Sequence, residues 1–310
     1  MKGHPMKKAL SLLLLLCLMP LAGCGNKQEE SSAVTVMATF YPVYVLAENV
    51  LEGVEGVELI SMTPPSTGCL HDYQLLTRDI KALSAAKALL CNGAGMESFL
   101  GDVKEQYPDL MLVDCSRGVS LLREEEESGE HADHEGHDHG EYNAHIWLSP
   151  RNAVIMVENI RAAMAQLLPE KQEQIDRNAA AYTKRLADLD AELSAAIGAL
   201  PRRTIVTFHE AFPYFAEAYG LQVAAVVALE PDEPLSPRML AEVVEKVKAA
   251  GNPPLFSEPQ YESAALQAVA QETGARVYEL DPLVTGDGAL TAYEDTLRKD
   301  LRVLQEALGE

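Results

Sequence analysis

Residues 169–200 read PEKQEQIDRNAAAYTKRLADLDAELSAAIGAL, and the architecture follows from them. Ile175, Ala179, Tyr182, Leu186, Leu189, Leu193, Ala196 and Leu200 recur at steps of four and three, which lays one apolar stripe along a helix. Pro169 stands near the start, where proline is tolerated, and Pro201 stops the segment. At about 1.5 Å per residue such a helix spans about 48 Å, more than a single small lobe requires. It reads as a stiff strut between two lobes. The alternative is a coiled-coil partner helix, but the stripe contains the small Ala179 and Ala196 and runs for only about four heptads.

The flanks of the strut repeat one pattern. Before it, residues 35–40, 57–63, 88–92 and 110–114 are short apolar or β-branched runs, with helical stretches at 42–51 and 75–85 between them. After it, residues 204–208, 223–227, 255–257 and 276–280 play the same part, with helices at 210–219, 237–250 and 262–272. Strand alternating with helix predicts parallel sheets covered on both faces. The fold class expected is α/β: an N-terminal lobe at 34–168, a connecting helix at 169–200 and a C-terminal lobe at 201–310.

The N-terminus sets the compartment. Lys2, Lys7 and Lys8 precede an apolar run too short to span a membrane comfortably, the pattern of a secretory signal at 1–23. Leu21-Ala22-Gly23-Cys24 resembles the lipobox of bacterial lipoproteins, which implies lipidation at Cys24, a polar tether at 24–33 and a site on the extracytoplasmic face of the cell membrane. An uncleaved N-terminal anchor is the alternative. The formal charge of −22 excludes nucleic acid as a partner class and favours cations. Cys69, Cys91 and Cys115 remain in the body, where they form either one disulfide or three buried thiols.

The histidines carry the chemistry. His131, His134, His137 and His139 lie in an acidic, glycine-bearing loop at 122–142 that has no apolar period, and they form a candidate accessory metal site. A solvated acidic spacer is the bland reading of that loop. The other three in the mature chain are His71, His145 and His209. His71 and His209 follow strands, and Asp281 follows another, where open α/β sheets bind ligands. Facing lobes would bring three imidazoles and one carboxylate to a shared cleft, a donor set that suits zinc better than magnesium or calcium.

The same residues lie in stretches that resemble the zinc- and manganese-binding subunits of bacterial ABC metal importers. These are Thr39-Phe40-Tyr41-Pro42, His71-Asp72-Tyr73 with the run at 92–97, and the run at 145–150 beginning His145-Ile146-Trp147. Further on come Phe208-His209-Glu210-Ala211-Phe212, Ser257-Glu258-Pro259-Gln260 and Leu280-Asp281-Pro282-Leu283. The resemblance implies a monomeric metal carrier with His71, His145, His209 and Asp281 as ligands at the lobe interface, a lipid anchor and an ABC permease as partner. It implies Zn2+ as cargo rather than Mn2+, because the manganese members tend to place a carboxylate where His209 stands. Cys69-Leu70 and Asn143-Ala144 depart from the common pattern and leave the fourth ligand among Asp281, Cys69, Glu258 and water. A manganese carrier, a metal-dependent adhesin and, further off, a zinc hydrolase with Glu210 as base are the rivals. The chain has neither a His-Glu-x-x-His helix nor a Gly-x-Ser-x-Gly turn to support an enzyme.

Overall fold

The computed structural model describes residues 33–64, 70, 73–124, 141–227, 236–260 and 264–309. The signal, the tether and Cys24, together with Cys69, His71, His131, His134, His137 and His139, lie outside these residues.

Among the described residues eight strands form two sheets. The first contains β1 (Val34–Ala38), β2 (Val57–Ser61), β3 (Ala88–Cys91) and β4 (Met111–Asp114) in the order β2-β1-β3-β4. The second contains β5 (Thr204–Thr207), β6 (Gln222–Val226), β7 (Leu255–Ser257) and β8 (Val277–Glu279) in the matching order β6-β5-β7-β8. All six pairings are parallel. Because helices cover both faces, a central strand can be apolar throughout, as β3 is: every one of its residues is buried. In each sheet the chain leaves the first-laid strand for one side and returns on the other. The gaps between β1 and β3, and between β5 and β7, are therefore the topological switch points where such sheets accept ligands.

The first lobe is covered by α1 (Tyr41–Leu51), α2 (Thr77–Leu83), α3 (Leu100–Gln106) and α4 (Pro150–Leu167). The second is covered by α6 (Pro213–Tyr219), α7 (Pro237–Ala249), α8 (Ala264–Thr273) and α9 (Ala292–Leu308). Between them runs α5 (Gln172–Gly198), preceded by a tight turn at Pro169–Lys171. This helix packs on α1 and α4 of one lobe and on α6 and α9 of the other, so it does join the lobes. Its buried residues are Ile175, Ala179, Tyr182, Leu186, Leu189, Leu193 and Ile197. The expected stripe holds except in the last turn, where Ile197 rather than Ala196 enters the core. A strict seven-residue pattern drifts round a 3.6-residue helix, and here the final step lengthens from three to four.

Polar contacts flank the buried seam of α5. On one side Arg185 bonds Asn49 of α1 and the Leu290 carbonyl, and pairs with Glu294 of α9 at 2.8 Å. On the other, Arg151 of α4 meets both oxygens of Asp190 at 3.0 Å, and Asp190 also accepts the Tyr219 hydroxyl of α6. One continuous core crosses the seam, from Val36 and Trp147 through Tyr182 to Phe256 and Tyr293. Two smaller clusters lie on the far faces of the sheets.

Cys91, the last residue of β3, and Cys115, just past β4, are free, buried thiols. Cys91 packs with Met37 and Leu89, whereas Cys115 packs with Leu90 and Val113, so the two point to opposite faces of the sheet and no bridge joins them. Burial pushes both thiols well above their usual range. Among the described residues no helix is long and apolar enough to cross a membrane.

Candidate metal centre

The site is built at the switch points. In the second lobe, Thr207 pairs with Phe256 and the Phe208 amide donates to the Phe256 carbonyl. Carried two residues past that register, the strands release His209 and Glu258 side by side. Both are almost fully buried, and Glu258 Oε1 bonds His209 Nδ1. The second Glu258 oxygen is buried and takes no hydrogen bond.

His145 arrives from the first lobe, on the turn Ile146–Leu148 that leads into α4. Asn143 fixes it. The Asn143 Oδ1 accepts the His145 amide at 3.0 Å and lies 3.3 Å from His145 Nδ1, while its Nδ2 donates to the Glu210 carbonyl at 2.9 Å. The Asn143 amide accepts from its own lobe and donates to the other, and so joins the two lobes.

These contacts anchor both rings from behind. An amide oxygen and a carboxylate accept, which favours a proton on each Nδ1 and turns each Nε2 toward the other ring. The two Nε2 atoms face each other at 3.2 Å. Two imidazole nitrogens at that distance share either a proton or a metal ion. Two nitrogens bound to one tetrahedral zinc at about 2.0–2.1 Å would stand about 3.3 Å apart. The observed spacing fits that geometry, and the Glu258–His209 contact is the carboxylate–imidazole arrangement that orients metal-binding histidines.

Asp281 follows β8 on a neighbouring loop. Its amide donates to Asp300 Oδ1 at 3.0 Å, and its Oδ1 accepts the Leu283 amide at 2.9 Å and Gln260 Nε2 at 3.4 Å. Leu283 holds φ of 59°, a left-handed conformation uncommon for leucine, which keeps the loop tightly turned. Burial holds the Asp300 carboxyl well above the usual range. Among the described residues no three His, Cys, Asp or Glu side chains form a group that could hold a metal: His209 meets His145 on one side and Glu258 on the other, Asp281 lies on the loop after β8, and His71 is outside the described residues.

The first-lobe switch point holds a second buried carboxylate. Glu97 accepts the Thr39 hydroxyl at 2.7 Å and the amides of Asn92 and Gly93 at 2.6 and 3.0 Å. Burial raises its carboxyl to about 7, against the lowering effect of those donors. Asn92 Nδ2 in turn donates to the Ala144 carbonyl, next to His145. Gly93 has φ of +80°, and a side chain there would strike Asp114, so the loop requires glycine.

A sequence model of the family described as zinc-uptake complex component A, periplasmic (ZnuA) matches residues 36–307. The chain belongs to this family. It is 30% identical over 316 residues to the zinc-binding lipoprotein AdcA of Streptococcus pneumoniae strain R6, covering 98% of this chain and 62% of AdcA. The chain thus spans less than two thirds of that curated relative. It is 28% identical to the iron-binding protein YfeA of Yersinia pestis, over 92% of this chain and 90% of YfeA. The crystal structure of Zn(II)-bound AdcA from S. pneumoniae superposes with a TM-score of 0.73 at 25% identity, covering 90% of this chain and 58% of that one.

Proposed function

We propose that this chain is an extracytoplasmic, lipid-anchored carrier that binds one Zn2+ between its lobes and delivers it to an ABC permease. The observation that carries the reading is the convergence of His145 Nε2 and His209 Nε2 at 3.2 Å across the lobes, each ring anchored through Nδ1. His145 and His209 are the first two ligands, His71 the third and Asp281 the fourth. Family membership supports the same cargo and partner class. Cys24 is the lipidation site, and the lipoprotein relative supports it.

The acidic loop is proposed to collect zinc through His131, His134, His137 and His139. Its described stem supports a direct hand-over. Arg123 and Tyr142 form an antiparallel bridge, Arg123 pairs with Glu141 at 2.7 Å, and the Asn143 amide donates to the Leu122 carbonyl, leading the strand straight to His145.

Competition titration with a chromophoric chelator tests the site. Zinc should bind at one tight site, and His71→Ala, His145→Ala and His209→Ala should each weaken it by orders of magnitude. Unaltered affinity in all three would overturn the assignment. Because one relative is named for iron, zinc, manganese and ferrous iron are titrated in parallel, and tighter binding of either rival would reassign the cargo.

A further inference from the structure

Trp147 stands two residues from His145 and is completely buried, yet its indole N–H and its carbonyl both bond to the other lobe. The indole Nε1 donates to the Pro282 carbonyl at 2.8 Å, and Pro282 is the neighbour of Asp281. The Trp147 carbonyl accepts the Tyr293 hydroxyl of α9 at 2.6 Å. The same helix carries Asp300, whose Oδ1 holds the Asp281 amide. The contacts close a ring: His145 turn, Trp147, Pro282, Asp281, Asp300, α9, Tyr293 and back to Trp147. Phe40 meets the indole edge-on at 5.1 Å and fixes its plane from the end of β1. On the same side, the Tyr41 hydroxyl accepts the Gly288 amide, and a side chain at Gly286 would collide with that ring, so the loop after Asp281 also rests on the first lobe.

We infer that Trp147 is a positioning residue, a latch that fixes the Asp281 loop of one lobe relative to the His145 turn of the other. This rests on the assignment of His145 and Asp281 as ligands. Trp147 does not touch the ion; it sets where the carboxylate stands before the ion arrives. A preorganised donor loses less freedom on binding, so the latch acts chiefly on the rate of release.

The test compares Trp147→Phe, which keeps an aromatic ring and deletes the N–H, with Asp281→Ala and the double variant, in the whole mature chain. Trp147→Phe should weaken zinc about tenfold, mainly through faster dissociation, and amide exchange at 281–288 should quicken in the metal-free protein. In the Asp281→Ala background the same change should cost less than about twofold, since the latch then has no ligand to position. The visible spectrum of Co2+ bound to Trp147→Phe should move toward that of Asp281→Ala. Should Trp147→Phe fail to fold, Tyr293→Phe breaks the ring from α9 by deleting one hydroxyl and is held to the same criteria. Effects that multiply fully in the double variant, or an unchanged Co2+ spectrum, would overturn the latch. Failure of the wild-type chain to bind zinc or cobalt would instead overturn the carrier assignment on which it rests.

Discussion

Glu258→Gln separates charge from shape at the proposed centre. Glutamine retains an oxygen to accept His209 Nδ1–H but removes the negative charge behind the ring. That oxygen stands about 6 Å from an ion held at Nε2, across the imidazole. At an effective dielectric constant of about 20, a dication and a unit charge at that distance attract by about 5 kcal/mol. The desolvation of a buried carboxylate offsets part of this. Loss of such a partner typically weakens metal binding by about 10–100-fold, or roughly 1.4–2.7 kcal/mol. The metal-free protein should behave in the opposite way. Glu258 Oε2 is buried with no hydrogen bond, so neutralising the group removes a desolvated charge and the melting temperature without metal should hold or rise. Calorimetry without zinc and chelator competition with it read the two effects separately. Zinc affinity within twofold of the wild type would refute the orientation of His209 by Glu258. A parallel fall in metal-free stability would show a folding defect in its place.

Asn143→Asp deletes the donor to the Glu210 carbonyl and should weaken zinc by about tenfold, read by the same competition assay, because the hydrogen bond that ties the His145 turn to the second lobe is lost. Glu97 keeps its proton to about 7 in the fold against 4.5 for an ordinary glutamate, so the stability it contributes is fully present below about pH 4.5 and is lost as pH rises through about 7. The loss is on the order of 3 kcal/mol, and urea unfolding of the metal-free protein at either end of that window should show it in the wild type and not in Glu97→Gln. Leu193→Ala hollows the fully buried seam of α5 and should cost about 2–5 kcal/mol in the same unfolding assay. Alkylation followed by peptide mapping should leave Cys91 and Cys115 unmodified until the chain unfolds, since both thiols are buried and held protonated.

The strands and the strut were legible because their signals are local. Short apolar runs between helical stretches predict all eight strands within two residues at each end. The helix α9 is less legible, although Tyr293, Leu297, Leu301, Leu304 and Leu308 mark its buried face, because its composition is otherwise polar and charged. The site was legible only in part. A histidine after a strand is visible in the sequence, but the adjacency of His209 and Glu258 depends on the register between β5 and β7, which no local pattern encodes. In the sequence Glu258 stands only as a possible fourth ligand, and Asn143 only as a departure from the common pattern. Their contacts with the two imidazoles depend on tertiary geometry. The strand-end position of Ser257-Glu258, beside the strand that ends at His209, was the one available clue to the first of these.

The chain contains a single tryptophan, and that indole is wedged at the seam with its N–H tied to the opposite lobe. Every photon of tryptophan emission therefore originates at the junction, with no background from elsewhere in the molecule. Shielded from water, the dye nature supplied should glow at short wavelength, and any parting of the halves should announce itself as a red shift, so that loading and release can be watched in real time without a label.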